Sequence, residues 1–407
     1  MRYIIAIVGF LMVTMMLWDA FEVIILPRRV TRRFRFARLF YRLTWRLRSM
    51  VAELIPLDRP RENYLGYFGP LSLLLLLTAW VTGLVAGFAM MQWGLQDRLN
   101  VAQSATSFGT YLYLSGTTFF TLGLGDVIPL GRLGKSFMVI EAGLGFAFLG
   151  GVVTYLPTIY QAFSRREVGI SLLDARAGSP PSAGELIRRN GNDMSGLEQL
   201  LGKWEGWSAE LLESHISYPF LVYFHSQQVN QSWLGALTAI LDTSALVIAC
   251  IDGGPIRQAK LTFAMARHAV VELTQNFIPS PPAPARDRLP PSSFTVLRKM
   301  LVEADVSMRA GIATEQKLSE LRRLYEPYVQ ALGKYLLISM PPWFRLNHIP
   351  DNWQASTWDK LIAEMPAQTH HSPILVTRQS NESTAIQQRV MSKSNDLASG
   401  VAFEELN

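Results

Sequence analysis

The chain has 407 residues, a formal net charge of +6, one cysteine and six histidines. A single cysteine excludes an intrachain disulfide and a thiolate metal cluster, and the scattered histidines indicate no metal site, so we expect no cofactor. The sequence carries no hydrolase signature and no G-x-G-x-x-G nucleotide loop, which argues against an enzyme. Apolar residues make up 49% of the chain and crowd into about its first 160 positions, which predicts a membrane part followed by a soluble part.

The first apolar run, Tyr3 to Leu26, is long enough to cross the ~30 Å hydrocarbon core of a bilayer. A cleaved signal peptide is the alternative, but no small-residue cleavage motif follows the run, so we predict a retained helix. Asp19 and Glu22 share one face of this helix. They either serve a function within the membrane or pair with nearby arginines at the inner interface. We favour the pairing, with Arg28, Arg29, Arg32 or Arg33.

From Arg28 to Arg48 the chain carries nine arginines, no lysine and no acidic residue. On a helical wheel, a basic arc and an apolar arc separate. The basic arc holds Arg28, Arg32, Arg35, Arg38, Arg42 and Arg46, and the apolar arc holds Phe36, Phe40, Leu43, Leu47 and Met50. The pattern predicts an amphipathic helix on anionic lipid headgroups, and it explains the net charge without nucleic acid. A voltage sensor is the alternative, disfavoured because only one spanning run precedes the arginines.

Two further apolar runs, Gly69 to Trp93 and Leu133 to Tyr160, are also long enough to span a bilayer. Between them we predict a short helix that ends near Phe120. Its candidate amino-terminal caps are Ser104, Thr106 and Ser107. This helix is too short to cross the membrane, so we expect it to be re-entrant.

The stretch from Thr121 to Asp126 reads Thr-Leu-Gly-Leu-Gly-Asp. Glycine at alternate positions permits backbone angles closed to other residues, so successive carbonyls can point the same way. Irregular backbone at membrane depth is tolerated only where it is buried in protein or lines a water-filled cavity. Placed between two spanning runs, this stretch resembles the selectivity filter of potassium channels, usually written T-V-G-Y-G-D. The matching residues are Thr121, Gly123, Gly125 and Asp126.

The resemblance to the potassium-channel pore family covers about Gly69 to Ala162. It implies that K⁺ exchanges its hydration shell for backbone carbonyls and one threonine hydroxyl, with the aspartate at the outer mouth. The implied coordinating residues are Thr121, Leu122, Gly123 and Leu124. Two positions depart from the family pattern: Leu122 stands where Val or Ile is usual, and Leu124 where Tyr or Phe is usual. Leu124 lacks the hydroxyl that braces the filter in many relatives, so weaker selectivity is the alternative to the potassium selectivity that we favour.

The same resemblance nominates residues for gating and for support of the filter. Gly145 matches the position of a gating-hinge glycine, with Gly143, Gly150 and Gly151 as competitors, and close helix packing by small residues is the alternative. Pro157 either kinks the third spanning helix near its inner mouth or helps to end it. Thr117 stands where some relatives keep a pore-helix carboxylate. Glu141, in the third spanning run, either bonds behind the filter or lies at the membrane interface or faces water.

One filter loop per chain implies a homotetramer, because a ring of four loops is needed around a central pore. The arginine-rich segment, together with Arg165 and Arg166 after the third run, marks the cytoplasmic side. We therefore expect a multi-pass protein of the cell membrane, in a bacterium the inner membrane, with its N-terminus outside and its C-terminus in the cytoplasm.

Beyond Arg165 the sequence is mostly soluble. Helices are predicted at residues 197–214, 218–228, 232–249, 256–277, 294–306 and 314–336, with linkers at 172–182 and 279–291 and a disordered tail from about 367. We favour a helical tetramerisation or docking module over a ligand sensor, and no ligand or partner is identified.

The sequence thus predicts a mainly α integral membrane protein with three transmembrane helices, a re-entrant pore helix and filter loop, and an α-helical cytoplasmic domain. The predicted domains are residues 1–27 (first transmembrane helix), 28–68 (arginine-rich helix and linker), 69–164 (pore domain), 165–366 (cytoplasmic domain) and 367–407 (polar tail). The predicted function is passive potassium-selective conduction. The alternatives are a non-selective monovalent cation channel and a non-conducting membrane receptor with a helical signalling domain.

Overall fold

The computed structural model describes residues 2–26, 35–55, 59–101, 106–226, 228, 230–280, 287–345 and 351–352. These residues are mainly helical, and their β pairing is limited to two isolated bridges. The helices are α1 (Arg2–Ile24), α2 (Phe36–Glu53), α3 (Arg59–Gly66), α4 (Phe68–Leu95), α5 (Phe108–Phe119), α6 (Arg132–Ala177), α7 (Ala183–Asn190), α8 (Met194–Ser217), α9 (Trp233–Ala249), α10 (Ile256–Phe277), α11 (Pro291–Glu303), α12 (Ile312–Arg323) and α13 (Glu326–Leu336).

Three segments are long and apolar enough to cross a membrane, which confirms the prediction of three transmembrane helices. They are Arg2–Ile24, Arg61–Leu95 and Arg132–Ala177. The chain is therefore a mainly α integral membrane protein. It divides into two units, Met1–Trp353 and Gln354–Asn407. The second unit, and with it the predicted tail at 367–407, lies outside the described residues.

Helices α1 and α4 pack against each other in antiparallel fashion through small residues. A Cβ atom added to Gly9 would lie 2.6 Å from the carbonyl oxygen of Gly87, and one added to Gly94 would lie 2.6 Å from the backbone nitrogen of Ala6. Neither position can accept a larger side chain without separating the helices. Small residues at a membrane helix interface allow this close approach, so α1 packs directly against α4 within the same chain.

Asp19 of α1 is the polar junction of three helices. The side chain is 4% exposed, and its Oδ2 accepts hydrogen bonds from the indole nitrogen of Trp80 in α4 (2.9 Å) and from the backbone N–H of Ala37 in α2 (3.0 Å). The carboxylate therefore satisfies a free N–H in the first turn of α2, where negative charge is favourable.

Glu22 accepts from the Trp18 indole nitrogen (2.6 Å) and lies 3.3 Å from Nε of Arg35. The predicted partners of the two acids, Arg28, Arg29, Arg32 and Arg33, lie outside the described residues. The expected pairing at the inner interface is thus seen for Glu22 with a different arginine, whereas Asp19 binds N–H groups.

Helix α2 has an exposed apolar face and a face that is buried against protein. Of the predicted apolar arc, Leu43, Leu47 and Met50 are exposed, as expected of a helix on a lipid surface, whereas Phe36 and Phe40 are half-buried and pack against the core. Tyr41 and Trp45 are instead buried against protein: Tyr41 stacks on Tyr223 with ring centroids 5.6 Å apart, and Trp45 meets Phe68 of α4 at 5.1 Å. The Trp45 indole nitrogen also donates to the carbonyl of Tyr335 (3.1 Å). Helix α2 is therefore wedged between the membrane helices and the remaining, carboxy-terminal helices.

The last spanning helix continues directly into the carboxy-terminal bundle. Helix α6 runs unbroken to Ala177, and Arg166 on it is fully buried. Its guanidinium donates to the carbonyls of Leu221 (3.0 Å) and Phe224 (2.7 Å) and forms an ion pair with Glu167. The buried charge of Arg166 is therefore satisfied by two backbone carbonyls and by the adjacent carboxylate of Glu167.

His215 of α8 faces the same arginine in a neutral form. Its Nδ1 lies 2.8 Å from the carbonyl of Leu211 and must donate to it, so Nε2, 3.3 Å from Nη1 of Arg166, is the acceptor. Burial, and next the nearby guanidinium, lower the pKa of His215 well below its ordinary value. The histidine therefore fixes Arg166 rather than titrating near neutral pH.

The carboxy-terminal bundle is built around α9, every residue of which is buried. The one acid on this helix, Asp242, is fully buried and accepts from Arg288 (2.6 Å) and from the hydroxyl of Tyr325. The predicted helices at 197–214, 232–249, 256–277 and 294–306 all correspond to observed ones. Helices α3 and α7 are not anticipated by the sequence analysis.

Three predictions for this part are wrong in detail. The single helix expected at 314–336 is two helices, α12 and α13. The helix expected at 218–228 is a short 3₁₀ helix, Pro219–Tyr223, because carbonyls there bind Arg166 instead of continuing a helix. The linker expected at 172–182 is helical up to Ala177. Of the linker expected at 279–291, residues 281–286 lie outside the described part of the chain.

We expect Asp19→Ala to destabilise the protein, because it leaves the Trp80 indole and the Ala37 N–H buried without an acceptor. The cost should be about 2 kcal/mol, observed as a lower Tm in detergent or lipid. Asp19→Asn keeps an acceptor oxygen and should cost less. Thr14→Ala, on an exposed part of the same helix, is the control. Equal Tm values for Asp19→Ala and Thr14→Ala would contradict the assignment.

Candidate functional site

The short helix before the glycine-containing stretch is α5, and it begins where the sequence predicted. Ser107 is its N-cap and forms a capping box with Thr110, whose hydroxyl accepts from the Ser107 N–H (3.2 Å). Tyr111 and Leu114 bury the apolar face of α5 against Ala89 of α4. With 12 residues, α5 is too short to span a bilayer.

The stretch from Thr121 to Asp126 has an alternating backbone. Thr121, Gly123 and Gly125 have positive φ angles of 55°, 60° and 75°, whereas Leu122 and Leu124 do not. Alternation between right- and left-handed conformations turns successive peptide planes so that their carbonyls can share one direction. Thr121 adopts the left-handed region without being glycine, a strain that is found mostly at functional sites.

All six residues of this stretch are exposed in the single chain. Leu122 and Leu124 are 61% and 62% exposed. A Cβ atom added to Gly123 or Gly125 would meet nothing within 4 Å. These glycines are therefore required by their backbone angles, not by crowding. The inner end of the stretch is fixed to α5, since the N–H of Leu122 donates to the carbonyl of Thr117 (2.8 Å).

The outer end of the stretch is fixed by two residues that sequence reasoning missed. The hydroxyl of Tyr113 on α5 donates to the carboxylate of Asp126 (2.8 Å). The side chain of Asn100 donates to the carbonyl of Asp126 (3.2 Å) and accepts from the N–H of Ile128 (2.9 Å). A tyrosine on the helix directly before the loop was a usable signal, but Asn100 lies 26 residues before its partner and gives none.

Thr117 contacts the stretch through its backbone. Its hydroxyl donates within α5, to the carbonyls of Tyr113 (3.1 Å) and Leu114 (3.0 Å), and only its carbonyl reaches Leu122. The hydroxyl of Thr121 likewise lies 2.8 Å from the carbonyl of Phe120.

Glu141 of α6 is completely buried and links α6 to α5 and α4 through hydrogen bonds. Its carboxyl group bonds to the hydroxyl of Ser115 on α5, and the side-chain nitrogen of Gln92 on α4 lies 3.5 Å from its other oxygen. Ser115 also bonds to the carbonyl of Val85 on α4 (2.7 Å). The water-facing alternative for Glu141 is therefore wrong. Among the described residues no cation pairs with this acid, so hydrogen bonds hold it.

Gly145 lies where α6 crosses the end of α5. A Cβ atom at this position would be 1.9 Å from the carbonyl oxygen of Phe119, whereas one at Gly143 would meet nothing within 4 Å. The geometry favours close packing as the role of Gly145. Pro157 sits inside α6, which continues to Ala177, so this proline does not end the helix.

Gly145→Ala should disrupt the contact between α6 and α5, because the added methyl group overlaps a carbonyl that has no room to move. We expect a loss of several degrees in Tm, or loss of the assembled protein, measured by size-exclusion chromatography and thermal unfolding in detergent. Gly143→Ala, two residues away in open space, is the matched control and should be tolerated. A tolerated Gly145→Ala would favour the hinge role instead.

Comparisons with known proteins agree with this geometry. Residues 73–162 match a protein-family model described as "Ion channel". An uncharacterized membrane protein, YdjJ, of Bacillus subtilis (strain 168) is 28% identical to this chain over 187 residues, which is 45% of this chain and 54% of the relative. The match thus spans about half the length of that relative. No solved structure matches the chain significantly. Residues 73–162, less than a quarter of the chain, are therefore similar to an ion-channel domain.

Proposed function

We propose that the protein is a passive, potassium-selective channel in which four identical chains surround one pore. The observation that supports this most directly is the alternating backbone of Thr121, Gly123 and Gly125 between a re-entrant helix and a spanning helix. Carbonyls that share one direction can replace the hydration shell of a monovalent cation. We assign ion coordination to the carbonyls from Thr121 to Leu124 and to the Thr121 hydroxyl, once that hydroxyl turns from Phe120 toward the axis.

The exposure of the stretch supports the proposed homotetramer. A single chain presents one loop with its leucine side chains largely uncovered, and one loop cannot enclose an ion. Four loops around a symmetry axis both complete the coordination and cover the leucines. Large apolar side chains along α6 are exposed in the single chain and would lie in the same assembly; they include Val139, Phe146, Leu149 and Val153.

Selectivity for potassium over sodium depends on how firmly the ring of loops is held. Leu124 removes the tyrosine hydroxyl that braces the filter of many relatives. In this chain the bond from Tyr113 to Asp126 and the two bonds of Asn100 hold the outer end of the loop instead. Because these bonds come from α5 and from the segment before it, they replace the missing brace without an aromatic residue in the filter. This favours the potassium-selective alternative over the non-selective one.

We further propose that α2 binds anionic lipid headgroups. Its exposed apolar face enters the bilayer, and Arg38, Arg42 and Arg46 lie beside that face, all exposed, at headgroup depth. The arginines at 28–33 are outside the described residues. With α2 and the end of α6 on the cytoplasmic side, the N-terminus is outside and the C-terminus inside the cell membrane, which in a bacterium is the inner membrane.

The domain boundaries near residues 28, 69, 165 and 367 remain proposals. The carboxy-terminal bundle is proposed to serve as a docking or tetramerisation module, and we assign it no ligand and no enzymatic role. Arg166 of α6 donates to two carbonyls of the bundle, so α6 and the bundle are directly connected. This connection supports a role in which the bundle acts on the pore.

Gly123→Asp should abolish potassium flux, because aspartate does not tolerate the positive φ of this position and adds four like charges in the ring. The protein is reconstituted into liposomes, and potassium and sodium fluxes are measured with ion-sensitive dyes. Gly206→Asp, at an open position of α8, is the control and should conduct normally. Potassium flux that persists in Gly123→Asp would contradict the assignment.

The same reconstitution separates the three functional classes. Potassium flux with sodium excluded supports the proposal, and equal fluxes of the two ions indicate a non-selective cation channel. No flux under any condition, from protein that has a copy number other than four by mass measurement, indicates a non-conducting receptor.

Tyr113→Phe should shorten the time for which the pore conducts. The change removes the hydrogen bond from the Tyr113 hydroxyl to the Asp126 carboxylate that holds this end of the loop. We expect potassium current in patches to decay several-fold faster during sustained conduction, and more so at low external potassium. Tyr3→Phe, at a largely exposed position of α1, is the control. Unchanged decay in Tyr113→Phe would show that this bond does not hold the conducting form.

A further inference from the structure

A cavity of about 720 Å³ lies beside the cytoplasmic half of α6. Its volume is within the roughly 300–1,000 Å³ of small-molecule sites. The walls come from α3, the first turns of α4, the part of α6 around residue 160, and residues 224–226, 228, 230–232 and 337–340. The cavity is separate from the Thr121–Asp126 stretch, and no step of conduction proposed above uses it.

One wall of the cavity is apolar and continues onto the lipid-facing surface. Leu74 of α4 lines the cavity and is 54% exposed, and its neighbours Leu71 and Leu75 are exposed beside it. Leu156 and Phe163 of α6 form the facing side. A hydrocarbon chain in the bilayer can therefore pass from the lipid into the cavity without leaving apolar surroundings.

The opposite wall is polar and contains an unpaired cation. Arg61 of α3 lines the cavity, and its Nε is buried without a hydrogen-bond partner among the described residues. A buried N–H donor without an acceptor is unfavourable, and an oxyanion is its strongest partner. Glu62 also lines the cavity, but its side chain is exposed and stays hydrated.

The other ionisable groups near this wall add no competing charge. Arg166 is engaged by carbonyls and by Glu167, and Ser226 donates to the same glutamate. Burial, together with nearby Arg166, lowers the pKa of His225 to about 4, so this lining histidine is neutral at pH 7. Among the residues that the structure describes around this cavity, Arg61 is thus the cationic group that remains available to a ligand.

We propose that this cavity binds an anionic amphiphile, with its oxyanion head on Arg61 and its hydrocarbon chain along Leu74, Leu156 and Phe163. The shared chemistry fits two sources, a free fatty acid and an anionic phospholipid. An occupant would lie between α4 and the cytoplasmic half of α6. Its effect on current rests on the proposed function, whereas its binding does not.

The test is photolabelling of the full-length protein in liposomes, followed by mapping of the labelled peptides. Three probes carry the same diazirine group in an acyl chain: a free fatty acid, a phosphatidylglycerol and a phosphatidylcholine. We expect the two anionic probes, or one of them, to label residues 61–74 and 156–163 beyond the phosphatidylcholine probe. The more effective probe identifies the source.

Two pairs of variants make the mapping specific. Arg61→Gln should reduce this labelling about tenfold, the loss expected for a hydrogen bond to a charged group, and Arg61→Lys should restore part of it. Arg257→Gln, at an exposed arginine of α10 outside the cavity, should leave it unchanged. Leu74→Trp should block labelling by filling the cavity, whereas Leu75→Trp, exposed to a similar degree but outside the cavity, should not.

The proposal is wrong if the anionic probes label the lipid-facing surfaces evenly, if Arg61→Gln and Leu74→Trp leave the labelling unchanged, or if residues 156–163 are never labelled because a neighbouring chain fills the cavity. The same mapping on the Gly123→Asp protein separates the two hypotheses. Labelling that persists in a preparation without flux supports the binding site independently of conduction.

Discussion

The membrane part of this protein depends on one constraint: backbone that leaves helical geometry at membrane depth must find hydrogen bonds within the protein or face water. Between α5 and α6 the chain is irregular for about a dozen residues. The N–H of Leu122 bonds to the carbonyl of Thr117, the N–H of Leu130 bonds to the carbonyl of Arg98, and Asn100 bonds on both sides of the turn after Asp126. The loop is thus held by hydrogen bonds at both ends, whereas its alternating middle, with positive φ at Gly123 and Gly125, is exposed.

The same constraint explains the two acids that stand out in apolar helices. Asp19 and Glu141 are each almost wholly buried, and each joins three helices by hydrogen bonds: Asp19 joins α1, α2 and α4, and Glu141 joins α4, α5 and α6. Helix α4 contributes to both junctions, through Trp80 and Gln92. In a bilayer the hydrophobic effect does not bring helices together, so such polar contacts and close glycine packing must do so. The two acids therefore position the pore helix and the arginine-rich helix against one shared scaffold.

The sequence was sufficient for features that depend on local periodicity, and insufficient for contacts between distant residues. Long apolar runs predicted the spanning helices, and the alternating glycines predicted the special backbone, because both signals are local. Trp80 and Asp19, which are hydrogen-bonded, lie 61 positions apart, and Asn100 and Asp126 lie 26 positions apart. No local sequence pattern predicts either pair. Helix α2 shows the limit within a single element. The sequence predicted its apolar and arginine arcs. Tyr41 and Trp45 are residues that suit a membrane interface as well as a protein contact, and the structure shows the protein contact.

Helix α6 runs without a break from the segment after the glycine-containing stretch to the carboxy-terminal bundle. In its amino-terminal part, Gly145 lies against the carbonyl of Phe119, just before the glycine-containing stretch, and 21 residues later Arg166 is bound by carbonyls of the carboxy-terminal bundle. At 1.5 Å per residue these points are about 30 Å apart. Between them, the hydroxyl of Tyr155 bonds to the carbonyl of Val23 at the end of α1, and its ring packs on Tyr218 of the bundle. Because α6 has no break at Pro157, a displacement of the bundle cannot be absorbed in a linker. It must either bend α6 or be transmitted to Gly145, where a carbonyl in contact with the helix leaves no room for sliding. A movement of the bundle would therefore reach the glycine-containing stretch through the position of α6, without a flexible connection.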